Sequence, residues 1–291
     1  MNKSTEAQGS GSIEELVVLG PPGSYLDGLA TSMNVDCPVI YGVDFPDVIQ
    51  QITTCPERAG LIVINNTLNG PLHPNVGAFQ GGELRVEQAA KLDVVSSIMG
   101  LGTLEEARTI AGKDVALKQI TGFMPHLARR VMASTSAAGK LIQDTGDRTL
   151  LSVGSSAQAE IYGLNVLAKD VQDPVGLNRT TVLLVRARES WVFDPGTVEV
   201  NTDLSGTMIL NVTDTDKPGS LHRALGELAE RNINLTSLES LTIRGTEYSE
   251  FFITFAGTGK ALVDLLTSKQ AARHMNLDVL GVYEEPVVYG S

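Results

Sequence analysis

Cysteine, histidine, tryptophan and basic side chains are all scarce in this chain. Two cysteines, Cys37 and Cys55, occur among 291 residues, in unrelated contexts with no CxxC and no paired histidine. No disulfide framework is expected, and the cytoplasm is the expected location. Cys37 precedes a proline and a short apolar run and reads as buried and inert. The four histidines, His73, His126, His222 and His274, are scattered without metal-ligand spacing, so neither a metal nor another cofactor is expected. GxxxxGK[ST] is missing, and no strand leads through GxGxxG into a helix, which leaves phosphate-loop and dinucleotide readings without support. There is no run of eighteen apolar residues, so no membrane partner is expected. The opening MNKSTEAQGSGS lacks the apolar stretch of a secretory signal, and its Gly, Ser and Gln content marks residues 1–13 as a loose tail. Basic residues number 22 against 34 acidic, a net charge of −12, so the chain carries no electrostatic footprint for nucleic acid. An anionic substrate would need a locally prepared site of backbone N–H groups, hydroxyls and amides.

Apolar residues make up 42% of the chain, enough for a sizeable core, and the length suits two domains. Leu16–Leu19 reads as a buried strand, followed by Gly20-Pro21-Pro22-Gly23 as a turn and a helix from about Tyr25. Further buried strands are expected at Leu61–Ile64, Val94–Met99, Leu150–Val153 and Thr181–Val185. Helical spacing appears at Leu104–Ile110, Met124–Ala133, Ser136–Gln143 and Ser155–Tyr162. Strands alternating with helices indicate an α/β domain over residues 14–188 with mostly parallel sheets. Residues 189–205 are polar, turn at Asp194-Pro195-Gly196, and read as a linker anchored by the single Trp191. From Thr207 the expected order is strand, helix, two strands around Arg244-Gly245-Thr246, helix and strand. Pro218 falls in the first helical turn, Tyr248–Phe255 is the third strand, and the last strand is Asp278–Tyr283. This is the ferredoxin-like βαββαβ pattern, over residues 206–287.

Ligands of open α/β sheets bind beyond strand ends, and four polar clusters fall there. Ser24 and Tyr25 follow the first strand. Asn65-Asn66-Thr67 stops the second. Ser134-Thr135-Ser136 is a candidate helix N-cap whose N–H groups suit an anion. Asn178-Arg179-Thr180-Thr181 precedes a buried strand.

At these residues the chain resembles the prephenate dehydratases. GPPGSYLDGLA is similar to their GPxGTFSxxAA, LIVINNTLNG to PIENSxxG, ASTSAAGKLIQD to STAxAA, and IYGLNVLAKDVQDPVGLNRTTVLLV to YGLxVLxxxIQDxxxNxTRFLVL. The second half resembles the ACT regulatory domain of that family, with GSLHRAL similar to GALxxxL and NINLTSLES leading into ESRP. The resemblance covers about residues 15–285. It implies a two-lobed, periplasmic-binding-protein-like (type II) catalytic domain with substrate in the cleft, followed by the ACT domain. It also implies prephenate as substrate, held by Ser24, Tyr25, Asn66, Thr67, Thr135, Ser136 and Asn178.

The departures carry the functional expectation. Asn178 and Thr180 match NxTRF, but Thr181 stands for Arg and Val182 for Phe. Asn65 stands for the Glu of IENS, and Ser24-Tyr25-Leu26 for TFS. Thr180, Thr181 and Asn65 are the catalytic candidates. A dehydratase expels the C4 hydroxyl of prephenate as CO2 leaves, which needs a proton donor near C4. A cleft without that cation and carboxylate favours loss of CO2 with the hydroxyl retained. Prephenate decarboxylases of natural-product pathways resemble dehydratases in this way. The first expectation is therefore non-aromatising decarboxylation to a dihydro-4-hydroxyphenylpyruvate. Dehydration to phenylpyruvate is the second, and a catalytically silent effector-binding protein the third.

The ACT resemblance implies a homodimer or homotetramer. It also implies an amino-acid effector, phenylalanine in the family, at Gly219, Leu221, Asn234, Leu235 and Glu239. Glu239-Ser240 begin the ESRP motif, but Leu241 and Thr242 replace its Arg and Pro. Leucine cannot imitate a planar guanidinium, so weak or absent phenylalanine inhibition is expected.

Overall fold

A computed structural model describes residues 12–173, 177–189, 191–213, 217–243, 245–246 and 249–290. The expected tail over 1–13 falls almost wholly outside these residues, as do Arg244 and Tyr248.

The chain begins with β1 (Glu15–Leu19), α1 (Tyr25–Ser32), β2 (Val39–Gly42), α2 (Phe45–Thr53) and β3 (Arg58–Asn66). Both helices start where a side chain can cap them. Ser24 Oγ accepts from Asp27 N, and the Asp44 carboxylate from Asp47 N. A two-residue β4 (Gly70–Pro71), a short α3 (His73–Val76) and β5 (Leu84–Asp93) complete the first pass. The chain then crosses to a second lobe made of β6 (Ser97–Gly100), β7 (Thr109–Gly112), α4 (Asp114–Lys118), β8 (Ala128–Val131), α5 (Thr135–Thr145), β9 (Leu150–Gly154), α6 (Ala157–Tyr162) and β10 (Asn165–Ala168). It returns as β11 (Arg179–Ala187), inserted between β3 and β5. The ferredoxin-like unit is β12 (Asp203–Val212), α7 (Ser220–Glu230), β13 (Asn234–Thr242), β14 (Ser249–Thr258), α8 (Gly259–Thr267) and β15 (Met275–Tyr283), with sheet order β13-β14-β12-β15. Finally β16 (Val287–Gly290) runs back and pairs parallel with β5.

The first sheet has the order β16-β5-β11-β3-β1-β2, and the second β10-β6-β9-β7-β8. Both are mixed rather than mostly parallel, because β11 is antiparallel to both its neighbours and β6 to both of its own. In the first sheet β5 leads out to the second lobe and β11 leads back from it, and these two neighbours run in opposite directions.

Two expected helices are absent. Leu104–Ile110 is a turn entering β7, and Met124–Ala133 is a turn entering β8. The three-residue spacing of Leu104, Ala107 and Ile110 is real, but turn and strand deliver all three into one core. The β8 strand lies at a sheet edge and is mostly exposed, so it shows no apolar alternation. The strand expected at Val94–Met99 is confined to β6, because residues 94–96 cross between lobes. The long β5 is legible only afterwards, since Arg85, Gln88 and Lys91 interrupt its apolar run. Arg85 is buried, paired with Glu87 at 2.9 Å and stacked 5.6 Å from the Trp191 ring. Trp191 also meets Arg188 at 5.7 Å and Phe193 at 6.4 Å, so it anchors the linker as expected. Cys37 is half-buried, and burial raises its thiol above the usual range. No helix among the described residues is long and apolar enough to cross a membrane.

One face of the ferredoxin-like sheet carries α7 and α8 over a core of Met208, Leu228, Phe255 and Leu262. The other face packs against the first sheet. Ile209, Leu241, Phe252, Leu280 and Tyr283 share a core with Ile62, Val86, Leu183 and Phe79, and the Phe79 and Phe252 rings are 5.1 Å apart. At Gly281 the backbones touch, for a Cβ there would lie 1.9 Å from the Val86 carbonyl oxygen. Arg188 adds a two-pronged ion pair to Asp278, both contacts 2.6 Å.

Candidate active site

The chain crosses between its lobes at residues 94–96, and residues 169–173 and 177–178 flank the second crossing. The two crossings are tied together: Val171 N donates to Ser96 O at 3.1 Å, and Ser96 N to Gln172 Oε1 at 2.9 Å. Asp173 accepts from Thr121 N, Thr121 Oγ1 and Gly122 N at 2.8, 2.5 and 2.8 Å, which holds its carboxyl below the usual range. The expected polar clusters at strand ends meet beside these crossings.

Asn66, Asn178 and Thr180 form the centre, each buried. Asn66 Oδ1 accepts from Leu68 N, Asn69 N and Asn69 Nδ2 at 3.0–3.1 Å. Two of these donors are backbone N–H groups, so that atom must be the oxygen and the amide orientation is fixed. Nδ2 therefore donates its two hydrogens to Asn178 Oδ1 and to Thr180 Oγ1, both at 2.9 Å. Asn178 Nδ2 donates onward to Gln119 Oε1 at 3.1 Å. Thr180 is thus an acceptor in this array, and its own O–H remains available to donate elsewhere. Asn69 and Gln119 escape the sequence reading. The spacing Asn66-x-x-Asn69 is the signal for the first, as a turn closed by its own amides.

The neighbouring candidates have local duties. Ser24 Oγ caps α1 and also donates to Leu19 O at 3.1 Å. Thr67 Oγ1 donates to Leu177 O and accepts from Arg179 N at 2.9 Å, which staples the turn after β3 to the start of β11. The Tyr25 hydroxyl donates to Val95 O at 3.3 Å, and burial pushes its phenol up to about 12. Ser134 caps α5 through Ala137 N, as expected of that cluster. Ser136, one residue into α5, is buried, and its hydroxyl faces the Tyr162 phenol. Nothing is described of the Thr135 side chain.

One further residue has the mark of a site. Gln158 on α6 is fully buried, and neither end of its amide has a partner among the described residues. It lies where the lobes meet, since a Cβ on Gly23 would be 3.3 Å from Gln158 Cγ. A glutamine on the inward face of a short helix is the signal that could have found it.

Asn65 and Thr181 are placed elsewhere. Successive residues of a strand face opposite sides, so with Thr180 in the array Thr181 points away. On β3 the pairing runs Thr181↔Asn65 and then Val182↔Val63, which leaves Ile64 unopposed as a bulge. Ile64 and Asn65 consequently share one face and Asn66 takes the other. Asn65 and Thr181 both line a cavity of about 620 Å³ between the first sheet and the ferredoxin-like unit. Both therefore lie on the face opposite Thr180, away from the array that Asn66, Asn178 and Thr180 form.

The effector candidates also divide. Gly219 precedes α7 at a φ of 82°, a backbone conformation that suits glycine, and Leu221 lies in the first turn. Pro218 thus stands just before the helix. Asn234 opens onto the cavity. Leu235 packs into the helix-side core, and Glu239 accepts from Ser237 Oγ at 3.4 Å.

A two-lobed α/β domain with a polar junction between lobes, docked on a ferredoxin-like unit, defines a small-molecule enzyme with a regulatory domain. The prephenate dehydratase family model matches residues 16–190, and the ACT domain model residues 208–271. The chain belongs to the prephenate dehydratase family and is a lyase with a C-terminal ACT domain. Among curated relatives, prephenate dehydratase of Methanocaldococcus jannaschii is 27% identical over 267 residues, spanning 89% of this chain and 91% of that protein. Arogenate dehydratase/prephenate dehydratase 2 of Arabidopsis thaliana is 27% identical over 301 residues, spanning 97% and 76%. The fold matches prephenate dehydratase of Arthrobacter aurescens in complex with L-Phe at a TM-score of 0.75 and 22% identity, over 93% of this chain and 90% of that one.

Proposed function

We propose that the chain is a prephenate dehydratase, releasing phenylpyruvate, CO2 and water. The carrying observation is the wiring of Thr180. Its Oγ1 accepts from Asn66 in a buried site, and among the described residues no group accepts its proton. That is what a leaving hydroxyl requires. As the ring carboxylate departs as CO2, its bonding electrons enter the ring, the C4–O bond breaks, and the departing oxygen leaves as water with the donated proton. The unpartnered amide of Gln158 and the buried hydroxyl of Ser136 supply further polar groups for the substrate's carboxylate and pyruvyl oxygens.

Non-aromatising decarboxylation is the second reading. Positions 65 and 181, its first ground, line the cavity rather than the array around Thr180, which lends it less support. What favours it is that Ser136, Gln158, Asn66, Asn178 and Thr180 carry no charge, so a leaving carboxylate gains little ground-state stabilisation. One experiment separates the readings: prephenate, and in parallel arogenate, is incubated with the protein and the products are followed by NMR. Loss of the C4 oxygen with an aromatic ring supports dehydration. A non-aromatic product that keeps its hydroxyl replaces it with decarboxylation.

The ACT domain supports amino-acid effector binding, and a relative of this fold is complexed with L-Phe. We extend to this chain a homo-oligomeric, cytoplasmic enzyme in which Gly219 and Leu221 belong to the effector frame and inhibition by phenylalanine is weak.

A further inference from the structure

The back of the catalytic sheet carries a row of polar side chains that the reaction does not use. Lys91 on β5 stands opposite Thr181 on β11, and Thr181 stands opposite Asn65 on β3. All three line the cavity of about 620 Å³ closed from the other side by the ACT sheet. Lys91 is half-buried and makes no ion pair with any described residue. Asn65 Oδ1 is buried and accepts no hydrogen bond from a described group. An ammonium group on the inner face of a sheet is costly to desolvate without a counter-anion, and a buried amide oxygen without a donor is costly too. Beyond this row the lining combines apolar surface from Ile64, Leu183 and Phe255 with hydroxyls and amides of the ACT sheet such as Asn234, Thr236 and Thr254, and it includes the exposed carboxylates Asp203 and Glu285.

We propose that this cavity is a second ligand site, for a small organic carboxylate that bears a hydrogen-bond donor beside it and an apolar side chain. The carboxylate pairs with Lys91, and Thr181 donates to it. The neighbouring amino or hydroxyl group donates to Asn65 Oδ1. An amino acid and a hydroxy acid share this chemistry. The site lies within one chain, between its catalytic sheet and its ACT domain, and does not use the start of α7. The bulge at Ile64 connects it to the catalytic array. Asn65 and Thr181 are each one residue from Asn66 and Thr180, on the same two strands and on opposite faces. An occupant that shifts the row must move the strands that hold the Thr180 hydroxyl.

The inference goes beyond the proposed reaction, and its test does not depend on turnover. L-Phenylalanine and L-phenyllactate are titrated into the full chain by calorimetry. At least one is expected to show a binding component that Lys91→Met weakens about tenfold or more, as for a lost charge-assisted bond, and that Lys91→Arg retains. Leu221→Ala is expected to leave that component in place. If Lys91→Met shows no cooperative unfolding, Thr181→Val takes its place with the same expectation. Preference for phenylalanine identifies the donor as an ammonium, and preference for phenyllactate as a hydroxyl. Absence of binding by both probes overturns the proposal, as does binding untouched by the Lys91 or Thr181 change.

Discussion

Replacing Thr180 by valine keeps the shape of a buried side chain and removes one oxygen, so its consequences can be divided. The first falls on stability. Asn66 Nδ2 loses the acceptor held at 2.9 Å, and Thr180 lies 8% exposed, where water does not easily substitute. A buried donor left unsatisfied costs about 1–3 kcal/mol. At roughly 2–4 °C per kcal/mol for a chain of this size class, the melting temperature falls by about 2–12 °C. The second falls on the rate. Loss of a positioned proton donor lowers kcat by about 10²–10⁴-fold, and KM moves little because the donor acts chiefly in the transition state. Thr180→Ser keeps the oxygen and its proton and should recover most of both. The assay is phenylpyruvate absorbance in alkali, run beside thermal unfolding at a temperature where both variants are folded. A Thr180→Val enzyme that is destabilised as expected yet turns over within about tenfold of the parent refutes the donor role and leaves the array a structural feature.

Two further outcomes follow from the packing and the charges. Gly281→Ala would set a Cβ 1.9 Å from the Val86 carbonyl oxygen, so it should destabilise the chain by about 1–3 kcal/mol or more; unchanged unfolding would mean that the ACT sheet is not docked on the catalytic sheet in solution. Arg179 grips Asp93 through two contacts of 2.5 and 2.9 Å and holds its carboxyl below the usual range. Its contribution is therefore complete above the unfolded value near ~3.9 and is lost as pH falls through the lower folded value. Asp93→Asn should flatten the acid limb of unfolding below that point, and an unaltered limb would remove the pair from the account.

Much of this architecture is legible in the sequence because the signals are local. Short apolar runs bounded by capping residues mark β1, β9, α1 and α5, and the ferredoxin-like order reads almost strand for strand. What resists reading depends on partners distant in the chain. The charged β5 is a strand because Arg85 finds Glu87 and Trp191, and because β11 and β16 flank it. The residues around Leu104 keep helical spacing because a turn and a strand share one core. At the site, Asn66, Asn178 and Thr180 are recognisable as residue types at strand ends. Their mutual hydrogen bonds span more than a hundred residues, and no local pattern reveals them.

The harder case is facing. Thr180 and Thr181 are adjacent in a motif, and adjacency invites a single role for both. Strand geometry assigns them to opposite sides, and no spacing rule could place Asn65 with Thr181 unless the extra residue at Ile64 were known. A single bulge therefore decides which polar residues of β3 join the array around Thr180 and which line the cavity against the ACT sheet. The same parity sets how substitutions should be read. A change at position 66 or 180 acts on the hydroxyl that would serve the leaving group. A change at 65 or 181 acts on the lining of a cavity shared with the ACT sheet, and reaches the chemistry only by moving the strands. Residues 65 and 181 stand on the face opposite the Thr180 hydroxyl. Their nature bears first on what the cavity accommodates, and so on how the ACT domain is felt by the catalytic sheet.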